Sequence, residues 1–367
     1  MATERIYVIG AGFIAGTHVG AVGKLPGGNG MEVHVSDSNP ETLKKFKEKF
    51  PRVVTHTDTR EMLADPARPD DIVIVSTPPS SHCVLTLQGL QSGRHVLCEK
   101  PLAMNQDEAR RMLEMARKTG LRLGCCSTRF IGHFSTEMMK RWLEEGKLGE
   151  LYQVTWRHRT QSSREDGVFG KNGDAFCLDR AKNGGGTLMD WSPYDFTTLN
   201  NILQPVKVDV LEAWMAPPPS MKYASVPAEV VVDAECHAGA VMTYHCKNGT
   251  CVRVNFERAK CTYGEPATYF EFEGTLGAVK LDWLGEEGLK IYFDDAGKVK
   301  TQIIPYEKKG DDPFMLERPL CYFHEVVNGR NSPAVLNEQA VFNFNCIRAI
   351  YDCVEKGRSQ TVIMEQV

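Results

Sequence analysis

The sequence lacks the patterns of several specialised classes of protein. It has no uninterrupted apolar stretch of the ~18 residues that a membrane helix needs, so we expect no membrane partner. The formal net charge is -4, and the KKFKEK run at residues 44–49 is the strongest basic cluster. Nucleic acid is therefore not an expected partner. No basic leader with an apolar core precedes RIYVIG at residue 5, so we expect a cytoplasmic protein.

Patterns for metal binding and disulfide bonding are missing as well. The 12 cysteines are irregularly spaced and include the adjacent pair Cys125 and Cys126, which favours free thiols in a reducing compartment. There is no C-x-x-C and no H-E-x-x-H motif, so we predict no metal. With 42% hydrophobic and 25% charged residues the composition is that of an ordinary globular protein. The length of 367 residues favours two domains.

The first third of the chain alternates short apolar runs with amphipathic stretches. Apolar runs of this length are typical of strands buried on both faces. They predict six strands, at 6–9, 31–35, 53–55, 72–75, 95–98 and 121–125. The stretches between them have helical spacing, with apolar faces formed by Leu43, Phe46 and Phe50 and by Val84, Leu87 and Leu90. This order predicts a doubly wound parallel sheet over residues 1–126.

The pattern changes after residue 126. Tyr152, Val154 and Trp156 alternate with polar residues, which predicts antiparallel strands with one wet or partner-covered face. Asn248 and Gly249 lie between two alternating runs and predict a hairpin with a type I′ turn. We therefore expect an α+β domain over 127–367 with a large open, mostly antiparallel sheet. It ends in a helix, 338–357, that can pack back on the first domain.

The stretch VIGAGFIAGTH at residues 8–18 follows the first predicted strand. Gly10, Gly12 and Ala15 have the G-x-G-x-x-A spacing, and Phe13 and Ile14 would begin the helix after the turn. Gly10 permits the tight turn, Gly12 lets backbone N–H groups approach a pyrophosphate, and Ala15 allows close packing of helix on sheet. The motif predicts that the first domain binds a dinucleotide.

Asp37 and Ser38 come at the end of the second predicted strand. A carboxylate at this point accepts hydrogen bonds from the ribose hydroxyls of the cofactor, and it would repel a 2′-phosphate. The next residue is Ser38 and not an arginine, so the sequence favours NAD over NADP. The alternative is that Asp37 only forms the turn in SDSNPE.

Two further stretches follow strands and reach the same edge of the sheet. VSTPPSSH brings Thr77 and Pro78 to the cofactor cleft, and His82 begins the next helix as either an ordinary helix-start residue or a cofactor contact. HVLCEKP brings Glu99 and Lys100 to that edge. Lys100 can be a solvated surface charge, but the adjacent proline restricts the turn and would orient the lysine.

The stretch NGGGTLMDWSPYDF, residues 183–196, carries the remaining candidates. Its three glycines, 184–186, allow a close backbone approach, and we expect a helix to start near Asp190. Asp190 and Tyr194 are i and i+4 neighbours and share one helix face. The alternatives are that Asp190 is an N-cap and that Tyr194 is a buried tyrosine with a satisfied hydroxyl.

These residues suit the oxidation of a secondary alcohol. As hydride leaves for the nicotinamide, the hydroxyl proton must pass to a base within ~2.6 to 3.2 Å. Partial desolvation and the positive nicotinamide ring both favour the neutral amine of Lys100. Lys100 can then act as the base or hold Tyr194 as phenolate, with Asp190 orienting Lys100 and balancing its charge.

Together these motifs resemble the Gfo/Idh/MocA family of oxidoreductases, which act largely on sugars and polyols. The segments that carry the resemblance occur in family order along nearly the whole chain: GAGFIAGTH, VSDSNPE, VSTPPSSH, HVLCEKPLA, EEGKLGELYQV, NGGGTLMDWSPYD, FEGTLGAVKL and FHEVVNGRNSP. The resemblance implies an NAD-binding Rossmann domain and an open-sheet domain whose flat face pairs subunits into a homo-oligomer. It also implies that Lys100 is catalytic and that Asp190 assists.

The chain departs from the family pattern at two positions. Many members have histidine where this chain has Tyr194, and Ser192 replaces a usual glycine. The loop over 159–183 is unusual and offers charged residues that can face a substrate or be ordinary surface charges. The candidate substrate residues are Arg129, Trp156, Arg159, Arg164, Asp179 and Trp191.

Within the family the sequence is most similar to dehydrogenases that oxidise the C3 hydroxyl of a glucoside to the 3-keto glucoside. Oxidation of inositol or of a free sugar stays an alternative. Two further alternatives are a glycosidase that uses retained NAD transiently and a non-catalytic NAD-binding sensor.

Overall fold

The computed structural model describes residues 5–161, 179–217, 231, 233–283, 287–307 and 313–365. The chain divides into two compact units. The first contains residues 1–129 and 311–344, and the second contains residues 130–310 and 345–367. Within the described ranges, no helix is both long enough and apolar enough to cross a bilayer.

A six-stranded parallel sheet forms the centre of the first unit. Its order is β3-β2-β1-β4-β5-β6, so the strand order reverses between β1 and β4. The strands are β1 Arg5–Ile9, β2 Glu32–Ser36, β3 Val54–His56, β4 Ile72–Val75, β5 His95–Cys98 and β6 Leu123–Cys125. The apolar runs of the sequence predicted all six strands to within two residues, because the side chains of β1, β4, β5 and β6 are buried or nearly so on both faces; the edge strand β3 is partly exposed.

Helices connect these strands, and their ends follow the capping residues. They are α1 Phe13–Val22, α2 Pro40–Lys49, α3 Thr59–Met62, α4 His82–Gln91 and α5 Gln106–Thr119. The Asn105 side chain accepts a hydrogen bond from the Glu108 nitrogen at 2.9 Å, which caps α5. Gly120, with φ of 70°, ends that helix.

The predicted apolar face of α4 is correct in part. Leu90 is fully buried and Leu87 is partly buried, but Val84 is 53% exposed. The helix also buries Cys83, Thr86 and Gly89. A Cβ on Gly89 would lie 2.8 Å from Val96 Cγ2, so this glycine lets the helix approach the sheet closely. Small residues therefore complete the buried face of α4, and the apolar spacing does not show this.

The second unit contains a nine-stranded sheet in the order β14-β13-β12-β11-β7-β10-β9-β8-β15. The pairing of β7 with β10 is parallel and the other pairs are antiparallel, which agrees with the predicted mostly antiparallel sheet. The elements that follow α5 and β6 along the chain are α6 Phe134–Glu144, β7 Leu151–Gln161, α7 Arg180–Asn183, α8 Thr187–Leu203, β8 Pro205–Ala216, β9 His237–Cys246, β10 Cys251–Thr262, β11 Ala267–Gly274, β12 Gly277–Leu281, β13 Leu289–Asp295, β14 Lys298–Ile304, α9 Arg318–Val327, α10 Asn337–Lys356 and β15 Gln360–Ile363.

One face of this sheet packs on α8, which contacts β9, β10 and α6. Val154 and Trp156 of β7 are fully buried, whereas Gln153 and Thr155 between them are partly exposed. Tyr152 was expected to join the buried set but is 46% exposed. The alternation therefore identified the strand correctly, and it identified the helix-facing side chains from Val154 onward but not at Tyr152.

The β9–β10 hairpin is confirmed, but its turn type is not. Gly249 has φ of 87°, whereas Asn248 is absent from the positive-φ residues that a type I′ turn requires at both central positions. The Cys246 nitrogen instead donates to the Thr250 carbonyl, and the Asn248 side chain accepts from the Thr250 nitrogen at 3.1 Å. This Asx-type bond holds Asn248 in an ordinary conformation and lengthens the loop.

The chain returns to the first unit through α9, which packs on α1 and β5. Phe323 of α9 fills the space above Gly124, where a Cβ would lie 2.6 Å from its ring. The Asn337 side chain at the start of α10 accepts from the Leu123 nitrogen at 2.9 Å. Residues 337–344 of α10 belong to the first unit, and its remaining residues belong to the second.

Candidate functional site

The loop between β1 and α1 is shaped by two glycines with different roles. Gly10 has φ of 98°, and a Cβ there would lie 2.8 Å from the Ser76 carbonyl oxygen. Gly12 has φ of -79°, and a Cβ there would meet no described atom within 4 Å. The backbone of the protein itself thus requires Gly10, whereas Gly12 keeps the space beside the loop open.

The N-terminus of α1 offers backbone N–H groups to a ligand. No side chain caps the helix at Gly12, and its first turn contains no acidic residue. Phe13 is 82% exposed and Ile14 is partly buried. Because a helix N-terminus attracts negative charge, these residues fit the pyrophosphate of a dinucleotide.

Asp37 follows β2 directly, and its side chain hydrogen-bonds the glycine loop after β1 and the turn that leads into α2. One carboxylate oxygen accepts from the Ala11 nitrogen and the other from the Asn39 nitrogen, each at 2.9 Å. A carboxylate has room for about four hydrogen bonds, so Asp37 can form this turn and still accept from ribose hydroxyls. Ser38 is exposed beside it. The turn-forming and the cofactor-binding interpretations of Asp37 are therefore compatible.

Thr77 and Pro78 follow β4, the neighbour of β1 where the strand order reverses. Ligands of doubly wound sheets bind in the crevice at such a reversal. Thr77 is partly buried, its hydroxyl lies 2.7 Å from that of Ser81, and Pro78 is exposed. Together with the glycine loop and Asp37 they form the predicted cofactor edge of the sheet.

The cofactor contact predicted for His82 is not supported by its surroundings. The ring is fully buried, with Nε2 2.8 Å from the Thr77 carbonyl oxygen and Nδ1 2.8 Å from the Pro101 carbonyl oxygen. Burial lowers the pKa of His82, and the two carbonyls oppose that effect. His82 begins α4, as predicted, and its ring connects the segment after β4 to the segment after β5 through the Thr77 and Pro101 carbonyls.

Glu99 and Lys100 follow β5, and a buried ion pair fixes this turn. The Glu99 carboxylate accepts from His18 Nε2 at 2.9 Å and from the Arg129 guanidinium at 3.2 Å, while the Lys100 nitrogen donates to its other oxygen at 3.1 Å. Burial raises the pKa of Glu99, but Arg129 and His18 outweigh that effect and hold it well below its usual range. Arg129, predicted as a substrate residue, therefore has a clear role as the partner of Glu99.

His18, Glu99 and Cys126 are buried and each presents one ligand atom within 4.8 Å of the others. The geometry is that of a hydrogen-bonded cluster, because His18 Nε2 already faces Glu99 and Arg129 supplies the positive charge. Cys126 Sγ lies 3.9 Å from His18 Nε2, and burial raises the pKa of its thiol, which disfavours a thiolate ligand. We therefore assign the cluster to positioning Glu99.

In the second unit, α8 carries both Asp190 and Tyr194. The predicted helix start near Asp190 is wrong, because α8 begins at Thr187. The Asp190 nitrogen donates to the Gly186 carbonyl at 2.9 Å, so Asp190 is a helical residue and the N-cap alternative is wrong. Asp190 and Tyr194 remain one turn apart on the same helix, as the sequence predicted.

Aromatic rings surround Tyr194, which is only 3% exposed. The edge contacts run to Phe130 and Trp191, with centroid distances of 5.3 and 5.7 Å. Trp191 is partly buried, and the Arg258 guanidinium carbon lies 5.5 Å from its ring centroid. This packing restricts the rotamers of Tyr194 and Trp191.

The sequence analysis missed His158 of β7. Its ring lies parallel to Trp191 at 6.5 Å, and Nδ1 is buried without a hydrogen-bond partner among the described residues. Burial and then the Arg258 charge lower the pKa of His158 to about 4, so the ring is neutral near pH 7. The sequence contained one indication, because His158 continues the parity of Val154 and Trp156 toward the helix-covered face.

Trp156, predicted as a substrate residue, belongs to the core of the second unit. Its side chain is fully buried, its ring lies 4.5 Å from Phe270 and 5.2 Å from Trp283, and Nε1 donates to Asp195 at 2.8 Å. An indole enclosed in this way cannot contact a substrate directly. The prediction failed because a buried strand tryptophan and a binding-site tryptophan have the same sequence pattern.

The charged candidates of the 159–183 loop have protein partners where they are described. Arg159 Nε lies 3.4 Å from the Glu257 carboxylate. Asp179 caps α7 by accepting from the Ala181 nitrogen at 3.0 Å and pairs with Lys182. Arg164 lies outside the described residues. The contacts of Arg159 and Asp179 within the protein therefore account for both charges without a substrate.

The first unit has the sheet reversal, the glycine loop and the acidic strand end of a dinucleotide-binding protein, joined to an open-sheet unit. A profile described as "Oxidoreductase family, NAD-binding Rossmann fold" matches residues 4–126, and the GFO/IDH/MocA C-terminal domain matches residues 136–280. The chain belongs to the GFO/IDH/MocA oxidoreductase family, and its cofactor is NAD. The resemblance inferred from the motifs is thereby confirmed.

Relatives with named activities are oxidoreductases of sugars and inositols. The D-glucoside 3-dehydrogenase of Escherichia coli is 33% identical over 51% of this chain and 50% of its own length. The 1,5-anhydro-D-fructose reductase of Ensifer adhaerens is 24% identical over 83% of each chain. Levoglucosan dehydrogenase in complex with NADH has the same fold, with a TM-score of 0.74 and 18% identity over 100% of both chains. The chain spans about half or less of the length of several curated relatives.

Proposed function

We propose that the protein oxidises a secondary alcohol on a sugar or glycoside, and that its reaction is the conversion of the C3 hydroxyl of a glucoside to a 3-keto group. A bound NAD would supply the acceptor for the hydride of the carbinol carbon. Lys100 takes the hydroxyl proton, so that one C–H and one O–H bond break as the carbonyl forms. Asp190 and Tyr194 assist the proton transfer.

The observation that carries this proposal is the fixed backbone of Lys100. The preceding Glu99 receives bonds from His18, Arg129 and the Lys100 nitrogen itself, so the turn has little freedom to move. Its place after β5 puts the lysine at the carboxyl edge of the sheet, where ligands of such folds bind. A base held in this way meets the geometric demand of proton abstraction.

Support from the second unit comes from α8. Asp190 supplies a negative charge one helical turn before the Tyr194 hydroxyl, and rings at Phe130 and Trp191 pack around the tyrosine. Trp191 and His158 add an aromatic and a neutral imidazole surface, which suits the apolar face of a sugar ring. These groups make a polyol or glycoside a better candidate than a charged substrate.

The preference for glucosides rests on similarity to the D-glucoside 3-dehydrogenase. Oxidation of inositol or of a free sugar is the second candidate, because inositol dehydrogenases are also among the relatives and 1,5-anhydro-D-fructose reductase aligns over more of the chain than the glucoside dehydrogenase does. A 3-keto group would also acidify the C2 proton and permit elimination of the anomeric substituent. A glycosidase using retained NAD would exploit that chemistry.

A substrate panel tests the proposal. Purified protein is incubated with NAD and with glucose, inositols, and O- and C-linked glucosides, and NADH absorbance is recorded while NMR identifies the oxidised carbon. We expect NADH only with glucosides and oxidation at C3. Turnover of inositol or free sugar supports the second candidate. Glycoside cleavage without net NADH indicates the glycosidase, and NADH binding without turnover indicates a sensor.

The same assay tests the roles of the three residues. Lys100→Met keeps the aliphatic stem and removes the base, so we expect kcat to fall by about 10²- to 10⁴-fold with little change in NADH affinity. Asp190→Asn and Tyr194→Phe should lower kcat less. Lys118→Met on the exposed surface of α5 is the matched control and should leave kcat unchanged. Full activity of Lys100→Met would reject Lys100 as the base.

We further propose that subunits associate through the sheet face opposite α8. Trp214, 46% exposed, covers Gly239 on this face, and Tyr269 and Arg253 continue it across neighbouring strands. Sedimentation velocity should show an oligomer that Trp214→Arg weakens. A wild-type monomer would contradict this proposal.

A further inference from the structure

The N-terminus of α8 is capped by a residue from a distant part of the chain. Gly186 occupies the N-cap position and has no side chain to cap with. Glu235 supplies the missing acceptors: its carboxylate accepts from the Gly186 nitrogen at 2.9 Å and from the Leu188 nitrogen at 3.0 Å, and its own carbonyl accepts from the Thr187 nitrogen at 3.0 Å. Three donors at the start of α8 therefore depend on Glu235.

Tyr351 of α10 holds this carboxylate from the other side. Its hydroxyl donates to Glu235 Oε1 at 2.8 Å, and both side chains are buried, with residues 5% and 1% exposed. Burial raises the pKa of Glu235, while Tyr351 and the helix amides counteract that effect. Arg348 and Arg180 lie over the Tyr351 ring, and each also faces an acidic residue of α10. The Glu235 carboxylate thus accepts from the Tyr351 hydroxyl and from two amides at the start of α8.

The clamp of Glu235 and Tyr351 explains the glycine run that precedes α8. A Cβ on Gly186 would collide with the Glu235 carbonyl, and a Cβ on Gly185 would collide with the Tyr351 hydroxyl. The close backbone approach predicted from these glycines is therefore an approach to the protein itself, to the Glu235 backbone at Gly186 and to the Tyr351 side chain at Gly185. Gly184, with φ of 79°, ends the preceding α7.

We propose that Glu235 and Tyr351 are positioning residues that act through Asp190. The Asp190 nitrogen donates to the Gly186 carbonyl, and the Gly186 nitrogen is bound by Glu235, so two hydrogen bonds connect the clamp to the residue that assists Lys100. Loosening the clamp frays the first turn of α8 and displaces the Asp190 carboxylate. The inference rests on the proposed function, in which Asp190 assists proton transfer.

Tyr351→Phe is the variant of choice, because it removes one hydroxyl from the clamp and keeps the ring. The matched control is Tyr244→Phe. Tyr244 is fully buried in the same unit, and its hydroxyl has no hydrogen-bond partner among the described residues. We expect Tyr351→Phe to lower kcat about tenfold, with the KM for NAD unchanged, because a small misplacement of an assisting group slows the reaction strongly. Tyr244→Phe should leave kcat unchanged, and equal effects of both variants would overturn the proposal.

A double-mutant cycle separates positioning from a general structural effect. If Tyr351 acts through Asp190, Tyr351→Phe should change the rate of NADH formation little when Asp190→Asn is already present. Single-turnover measurements with excess protein give this rate even when it is slow. Losses that multiply independently in the double variant would overturn the proposal. Glu235→Gln, which replaces one acceptor oxygen by a donor, should show the same dependence on Asp190 with a larger loss.

Amide hydrogen exchange tests the clamp without any substrate. We expect the amides of Leu188 and Asp190 to exchange at least about tenfold faster in Tyr351→Phe than in wild type, with no change in Tyr244→Phe. Unchanged exchange would overturn the clamp even if activity fell. Faster exchange in a protein that turns over no polyol or glycoside would overturn the proposed function and leave the clamp in place.

Discussion

The carboxylate of Asp37 is joined to the backbone nitrogen of Ala11 by a 2.9 Å hydrogen bond. This bond ties the end of β2 to the glycine loop, and we predict that the same carboxylate also accepts from the ribose hydroxyls of the cofactor. Asp37→Ala loses both contributions. Because a hydrogen bond to a charged group contributes roughly 1.5–3 kcal/mol, we expect NADH affinity to fall about 10- to 100-fold in a fluorescence titration.

Asp37→Ala should also weaken the preference of the protein for NADH over NADPH. Removing the carboxylate also removes its repulsion of a 2′-phosphate, so the ratio of NADPH to NADH affinity should rise in Asp37→Ala. Asp107→Ala is the matched control, because Asp107 is an exposed aspartate in the first turn of α5 that pairs with Arg110. An unchanged NADH dissociation constant in Asp37→Ala would contradict the assigned role.

Gly10 and Gly12 should respond differently to the same substitution. Gly10→Ala places a side chain at positive φ and against the Ser76 carbonyl, so we expect a loss of stability of about 1–3 kcal/mol. Gly12→Ala has an ordinary φ and open space, so the protein should fold normally but bind NADH more weakly. Thermal unfolding and NADH titration of both variants check this. Equal melting temperatures would contradict the role given to Gly10.

The strand ends of the cofactor edge could be predicted from the sequence for a physical reason. Strands buried on both faces give continuous apolar runs, and parallel strands end at one edge, so the residues after β1, β2, β4 and β5 had to lie near one another. Asp37 and Lys100 follow from this argument alone. The motif resemblance then added the family.

Contacts between distant segments could not be predicted in this way. Nothing in the local pattern links Glu99 to Arg129 or Glu235 to Tyr351, because such pairs depend on how loops and helices pack. The start of α8 was misplaced for the same reason: its cap comes from Glu235, 49 residues beyond Gly186. Local capping rules identify a helix start only when the cap is local.

Glu99 should make the stability of the first unit depend on pH. Its folded pKa lies below the ordinary value of 4.5, so its contribution is present above that value and is lost as the pH falls. Glu99→Gln removes the buried negative charge that faces Arg129 and His18, and we expect a loss of about 3–5 kcal/mol near neutral pH. The difference from wild type should shrink below about pH 4.5.

Circular dichroism during urea unfolding can follow Glu99→Gln. All five tryptophans lie in the second unit, so tryptophan fluorescence reports that unit separately. A destabilisation seen by circular dichroism but not by fluorescence would locate the effect in the first unit. A difference that stays constant from pH 7 down to pH 3 would contradict the assigned ion pair.

Trp156→Phe tests whether Trp156 is a core residue or a substrate residue. Phenylalanine leaves a smaller ring beside Trp283 and leaves Asp195 without the indole donor. We expect a loss of stability of about 2–4 kcal/mol, with the substrate KM of the folded protein unchanged. Urea unfolding monitored by tryptophan fluorescence and steady-state kinetics give the two quantities. A raised KM at unchanged stability would restore the substrate role.

His158 should make the second unit less stable in acid, whereas a histidine with an ordinary pKa contributes no such pH dependence. Its folded pKa of about 4 lies below the ordinary 6.5, so the unfolded chain binds the proton first and stability falls as the pH drops between these values. After allowing for partial exposure, we expect wild type to lose roughly 2 kcal/mol relative to His158→Phe between pH 7 and pH 4. Urea unfolding by tryptophan fluorescence measures this. Because the two proteins differ only at residue 158, the comparison isolates this group, and parallel pH curves would show that His158 is solvated and not enclosed beside Trp191.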